Sequence, residues 1–424
     1  MRVLFATFGS LGDLHPYIAL AHELQRRGHR PVIATFDTHR EAVLAAGVPF
    51  EAVRPSLAML GDKHDILRKL FLRRDGPEYL VRELFMKHIR ASYDDLDRLA
   101  AACDWIVTHP VSFAGPVVAQ RRGLLWASTV LAPMSMMSCE DPPVFDPAPW
   151  MRSIRALGVA PYRAFFMLAK RVVRRWERPL DELRAELGMP RGKPAQFEGQ
   201  YSPALNLALF SSVLAQPKSD WPVNSVMCGF PRYDGAAPDA ATLSRLAQFL
   251  AAGEAPLVFG LGSSAVLVAG DFWRHAVAAA HALGKRAILL TGEPPEGLGA
   301  LPPSIAAFDY LPYSTVFSRA LAVVHQAGVG TLAQALAAGR PQLITPVAFD
   351  QPDNAMRATT LGVARVLPFK EVTAARLTRE LKALLANPVH AARAAEAGRA
   401  IRSEPAAARA CDALETLWAS HRRA

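Results

Sequence analysis

Residues 323–362, VVHQAGVGTLAQALAAGRPQLITPVAFDQPDNAMRATTLG, confine the chain to few folds. A short apolar run leads into a loop of small and polar residues (His325, Gln326, Gly328, Gly330, Thr331). A helix-forming run, a second apolar run between prolines, and a polar cluster opening another helix (Asp350, Gln351, Asn354) follow. Strand, helix, strand, helix in that order requires parallel strands joined by crossover helices. A loop entering a helix offers unpaired backbone N–H groups and the positive end of the helix dipole, which suits a diphosphate. Carboxylate and amide side chains at the exit of the next strand suit sugar hydroxyls. Glycines after a strand also serve turn geometry alone. The two halves together fit one ligand: a nucleotide sugar, its diphosphate on the first loop and its hexose against Asp350 and Gln351.

A chain of 424 residues, 51% of them apolar, can build two domains with a core each. The amino-terminal stretch reads strand (RVLFATF), loop (GSLGDLHP), helix over about residues 17–27, and a second strand (PVIAT) after Gly28. Ile18, Ala21 and Leu24 give that helix one buried face, with Glu23, Arg26 and Arg27 outward. A further strand is expected at 105–108, with His109 and Ser112 in the loop leaving it. Stretches 57–98 and 142–191 read as irregular helical excursions from the sheet, where an acceptor pocket would be built. The segment 216–239 is rich in Pro, Gly and Asp and reads as a linker. A second βα series follows: a strand in PLVFG, the loop 261–264, a helix over 271–283, and strands at 286–291 and 306–309. The expected architecture is α/β, two Rossmann-like doubly wound domains facing a cleft, with boundaries 1–215, 216–239 (linker) and 240–404.

The net charge of +10 admits several partners. No zinc finger, aromatic-basic platform or recognition-helix pattern accompanies it, so nucleic acid is not expected. Segments 63–74 (KHDILRKLFLRR) and 162–176 (YRAFFMLAKRVVRRW) combine cations with apolar residues at helical spacing. That pattern suits peripheral contact with an anionic leaflet and equally an ordinary amphipathic helix with a solvated basic face. Cys103, Cys139, Cys228 and Cys411 form no CxxC pair or metal-ligand pattern, so no disulfide framework or bound metal is expected. The longest charge-free apolar stretch, 124–138, is too short and too rich in Ser, Thr and Pro to cross a bilayer. A cytoplasmic protein is expected, peripheral at most at the inner face of the membrane, and no feature specifies an oligomer.

With these residues in place, the chain resembles the UDP-glycosyltransferase family, inverting enzymes of the B-type glycosyltransferase fold. The resemblance is strong over 1–50 and 256–365. The phrases SDWPVNSVMCGFPRYDG, PLVFGLGSS and GDFW are similar to the bacterial sterol glucosyltransferase and rhamnolipid rhamnosyltransferase branches. In bacterial members the donor loop usually reads HHGGAGT; here Gln326 stands for the second histidine and Ala327 for the first glycine. That histidine normally bonds the diphosphate. A glutamine amide can still donate to a phosphate oxygen but cannot become cationic.

The resemblance implies a metal-independent hexose transfer from a UDP- or dTDP-sugar co-substrate to an apolar small-molecule or lipid acceptor, with no permanently bound cofactor. It also implies a last helix, 405–424, crossing back to the first domain. Asp13, in a loop matching the family's GSxGDxxP pattern, would be the base, with Ser10 and Gly12 beside the donor; the local sequence alone also fits a helix cap. A carboxylate at a helix start tends toward a low pKa, which makes it a weak base. His15 and His109 are rival bases. Ser263, Ser264, Gln326, the backbone of Gly328 and Gly330, and Thr331 would stabilise the leaving diphosphate. Tyr310 and Leu311 would sit by the nucleobase, although Tyr310 also fits a core position. The alternatives are a nucleotide-sugar 2-epimerase on the same fold and a non-catalytic family member.

Overall fold

In β1 (Arg2–Ala6), Val3, Leu4, Phe5 and Ala6 are all buried, as parallel strands covered by helices on both faces must be. The computed structural model describes residues 1–145, 157–293 and 298–422. Residues 146–156 of the expected excursion 142–191 and residues 423–424 of the expected last helix lie outside the described residues.

Among the described residues, a seven-stranded sheet runs in the order β3-β2-β1-β4-β5-β6-β7. Its further strands are β2 (Arg30–Thr35), β3 (Phe50–Ala52), β4 (Trp105–Thr108), β5 (Leu125–Val130), β6 (Leu205–Ala208) and β7 (Ser225–Met227). A six-stranded sheet runs in the order β10-β9-β8-β11-β12-β13. It consists of β8 (Leu257–Gly260), β9 (Ala287–Leu290), β10 (Ile305–Phe308), β11 (Ala322–His325), β12 (Gln342–Ile344) and β13 (Ala364–Val366). Every pairing is parallel.

The chain divides into two compact units, Met1–Tyr233 with Glu404–Ala424, and Asp234–Ser403. Both are doubly wound. In the first, the chain leaves β1 toward β2 and leaves β4 toward β5, so the loops after β1 and β4 open side by side where the strand order reverses. In the second, the loops after β8 and β11 do the same. Such switch points at the carboxyl ends of strands are where doubly wound sheets bind ligands. The helix Ala406–His421 belongs to the first unit, where Asp412 and Glu415 accept hydrogen bonds from the Arg27 guanidinium at 2.6 and 2.5 Å.

Several local expectations are corrected. The first helix starts at Leu11, six residues earlier than its periodicity indicated, and carries Pro16 within it. Asp13 therefore sits in the first helical turn rather than in a free loop. The 261–264 loop is a short helical turn, Gly262–Ala265. The segment read as linker contributes the edge strand β7, three residues long between prolines and glycines.

Candidate functional site

In the first unit, Ser10 caps the helix Leu11–Arg26, its Oγ accepting from the Gly12 N–H at 3.2 Å. Asp13 closes the other half of this capping box, its Oδ2 accepting from the Ser10 N–H at 2.7 Å and the Ser10 hydroxyl at 2.9 Å. Of the two residues expected beside the donor, Ser10 holds the carboxylate and Gly12 holds the Ser10 hydroxyl. Gly9, at φ +120°, leaves no room for a side chain, since a Cβ there would lie 2.4 Å from Asp13 Oδ2.

The other carboxylate oxygen, Oδ1, faces His109 Nε2 at 3.4 Å, so the two switch-point loops meet at this pair. His109 Nδ1 accepts from the Val111 N–H at 3.2 Å, which assigns the neutral ring's proton to Nε2, pointing at Asp13. Both His109 nitrogens are thereby engaged, and Asp13 is the better candidate base of the two. His15 packs its ring edge-on to Tyr233, with centroids 5.2 Å apart.

Burial pulls the Asp13 pKa upward, but the hydrogen bond and charge interaction with His109 and the two bonds from Ser10 outweigh it, and the net shift is downward. Its side chain keeps 29% exposure, and a carboxylate oxygen has a lone pair left for a further donor. A cavity of about 480 Å³ in this unit is lined by His109, Phe113, Trp126, Leu180, Arg184 and Tyr201 among others. Asp13 is not among its lining residues, whereas His109, which faces Asp13, is.

In the second unit, β11 ends on His325, which is fully buried with both ring nitrogens in use. Nδ1 accepts from the Ala327 N–H at 3.0 Å and Nε2 donates to Gln342 Oε1 at 2.9 Å. His325, expected to contact the donor, instead holds the turn in which Ala327 adopts φ +65°, a conformation that favours glycine. Burial drives the His325 pKa down to about 4, against the partial support of Gln342. The folded chain therefore keeps this ring neutral down to about pH 4, whereas the unfolded chain protonates it near 6.5. Between those values the unfolded state binds the extra proton, so stability rises with pH, by roughly 1.4 kcal/mol per unit from this residue. His325→Asn, which keeps an acceptor near the Ala327 N–H, should lose that share of the slope in thermal melts between pH 4 and 6.5; an unchanged slope contradicts the assignment.

Gln326 follows, nearly buried, its Nε2 3.4 Å from Thr331 Oγ1 and its Oε1 buried without a hydrogen-bond partner among the described residues. The amide is wedged against Gly262, where a Cβ would come within 2.2 Å of Nε2. The loops after β8 and β11 thus touch through Gly262 and Gln326. Tyr313 joins them, its hydroxyl shared with Thr331 and the Gly262 backbone and its pKa raised by burial. Ser263 is exposed and Ser264 half-buried on the same turn. The helix Val329–Ala338, which begins after Gly328 and carries Gly330 and Thr331 in its first turn, has no side-chain cap.

The AFDQPDN cluster sits after β12, with Phe349 at φ +58°. Asp350 precedes the helix Gln351–Thr360. Gln351 is nearly buried, and its Oε1 accepts from the Val347 and Ala348 N–H groups at 2.8 and 3.3 Å, shaping the turn. Asn354, fully buried, donates from Nδ2 both to the Ala327 carbonyl at 2.9 Å and to Asp350 Oδ2 at 2.7 Å. One amide thus ties the small-residue loop to the acidic residue. Leu311 points into the core with 1% exposure, so only its backbone can face a ligand. Tyr310 is 44% exposed, which excludes the core reading, and its hydroxyl donates to the Asp234 carbonyl at 2.7 Å.

Gly262, Tyr313, Gln342 and Asn354 complete the site beyond the residues expected to bind the donor. Asn354 lay within the polar cluster and Gly262 within the LGSS loop; nothing local marked Tyr313 or Gln342.

Comparison with known proteins agrees with this fold. The family model described as the glycosyltransferase family 28 N-terminal domain matches residues 3–93. The one described as the erythromycin biosynthesis protein CIII-like C-terminal domain matches 277–417. The O-mycaminosyltylonolide 6-deoxyallosyltransferase of Streptomyces fradiae is 30% identical over 434 residues, covering 100% of this chain and 98% of its own. Among solved structures, spinosyn forosaminyltransferase SpnP matches with TM-score 0.71 at 20% identity, over 99% of both chains. Spinosyn rhamnosyltransferase SpnG complexed with thymidine diphosphate matches with TM-score 0.69 at 21% identity, over 98% of this chain and 100% of that one. With two parallel α/β units of the matching fold and a relative aligned from end to end, the chain belongs to the family 1 glycosyltransferases of the B-type fold, enzymes that transfer sugars.

Proposed function

We propose that the chain transfers a hexose, with inversion and without a metal, from a UDP- or dTDP-sugar to a hydroxyl of an apolar small-molecule acceptor. The observation that carries this reading is the double hydrogen bond of Asn354, which sets Asp350 one side chain away from the Gln326-Ala327-Gly328 loop. A diphosphate on the uncapped helix start and the Thr331 hydroxyl leaves the attached hexose within reach of Asp350 and the Gln351 amide nitrogen. Backbone N–H groups and the Ser263, Ser264 and Gln326 side chains offset the charge that grows on the departing diphosphate. The exposed face of Tyr310 and the Leu311 backbone flank the base.

Asp13 takes the proton of the attacking hydroxyl, while Ser10 and His109 hold its two oxygens in place. Its low pKa keeps it ionised, and the hydroxyl becomes acidic enough for it only as the bond to the anomeric carbon forms. The relatives' names favour a dTDP-linked deoxyhexose and a natural-product acceptor over the sterol or lipid suggested by sequence phrases.

A thermal-shift panel of nucleotide sugars tests the donor, because a ligand bound by the folded state alone raises the melting temperature. dTDP- and UDP-hexoses should raise it, and the best donor should release its nucleoside diphosphate in the presence of a macrolide or glycopeptide aglycone. A panel without any shift, or conversion of donor alone to its C2 epimer, overturns the reading.

A further inference from the structure

The helix Ala160–Trp176 in the first unit buries one face, Tyr162 and Phe166, and leaves another bare. Met167, Leu168 and Val172 are 56%, 61% and 45% exposed. Leu168 and Val172 stand one turn apart and form an apolar row; Arg171 and Arg175, at the same spacing, form a cationic row directly beside it. Arg163 extends the cations toward the helix start.

The helix contains no acidic residue. Of its five cations, Lys170 pairs with Glu198 and Arg174 with Asp181. Arg163, Arg171 and Arg175 are exposed and make no ion pair among the described residues. An apolar row normally faces a core. This one faces outward, flanked by three charges that make no ion pair among the described residues.

We propose that this face is a docking surface for an anionic lipid bilayer. Leu168, Val172 and Met167 would enter the boundary between headgroups and acyl chains, and Arg163, Arg171 and Arg175 would meet lipid phosphates. Charge decides the occupant. A second copy of the chain would bring the same unpaired arginines against these, whereas a negatively charged leaflet complements them and also accepts the apolar row. No helix among the described residues is long and apolar enough to cross a membrane, so the helix would lie on the surface.

The test is co-sedimentation of the full chain with vesicles of phosphatidylcholine alone or mixed with phosphatidylglycerol, at low and high salt. Wild type should bind the mixed vesicles at low salt, release from them at high salt, and ignore the neutral ones. Replacing Arg163→Gln, Arg171→Gln and Arg175→Gln together should lower partitioning about a hundredfold. Leu168→Ser with Val172→Ser should lower it about tenfold at unchanged charge. The donor-induced rise in melting temperature, which reports on the second unit, should be the same in all variants.

Absence of binding, equal binding to neutral vesicles, or undiminished binding by either variant overturns the proposal. So does a concentration-dependent dimer that the same substitutions abolish, which would assign the face to a second copy.

Discussion

Asp13→Asn is expected to lower turnover at least about a hundredfold, the usual contribution of a positioned base. The replacement keeps the shape of the side chain, and one oxygen remains to accept from Ser10. What is lost is the negative charge and the second acceptor: an Asn NH₂ cannot accept the hydroxyl proton, and it would face the donor on His109 Nε2. Donor binding should survive, because the donor is assigned to loops of the second unit, and the donor-induced rise in melting temperature serves as the folding control. His109→Gln should behave differently, reducing turnover less than Asp13→Asn, since it removes a positioning contact rather than the base. Turnover of Asp13→Asn within about fivefold of wild type would disqualify Asp13.

The second large effect is expected from Asn354→Ala. Its amide serves the Ala327 carbonyl and Asp350 together, from a fully buried position. Removing it leaves a buried carbonyl without its donor and takes from the carboxylate the amide that ties it to the loop, at a cost of about 1–3 kcal/mol. Part of that cost should appear as a lower melting temperature. The rest should appear as donor affinity weakened roughly ten- to a hundredfold, because loop and carboxylate would no longer be fixed relative to each other before the ligand arrives. The loss should be greater for a nucleotide sugar than for the nucleoside diphosphate alone, since Asp350 is assigned to the hexose. Equal losses for both ligands would place Asp350 outside the sugar site.

The parts of this fold that repeat a local pattern were legible in the sequence. β1 is a continuous apolar run, and the next helix shows Ile18, Ala21 and Leu24 on one buried face. Pro16 stands in the second turn of that helix, where a proline is less usual than in the first, because the capping box already begins the helix at Ser10.

β5 was hidden for a different reason. Ser128 and Thr129 lie inside it because distant partners satisfy them: the Ser128 hydroxyl bonds Asn206, and Thr129 Oγ1 sits 2.5 Å from the Tyr17 hydroxyl. β7 has three residues and no periodicity to read.

The site shows the same division. GSLGD and DQPDN announce themselves as motifs. Which atoms they spend on their own backbone does not: Gln351 Oε1 shapes its turn and His325 is wholly internal. Tyr313 and Gly262 meet from positions 51 residues apart, a contact that only the folded sheet creates.

The central claim, that one surface of the second unit holds a diphosphate at the small-residue loop and its sugar at the acidic cluster, is tested most directly by amide hydrogen exchange with and without ligand. Of these two segments, a nucleoside diphosphate should slow exchange over residues 326–331 and leave 350–354 unchanged. The matching nucleotide hexose should add protection over 350–354. Protection by the hexose that spares both segments, or that appears in full with the diphosphate alone, would contradict the account.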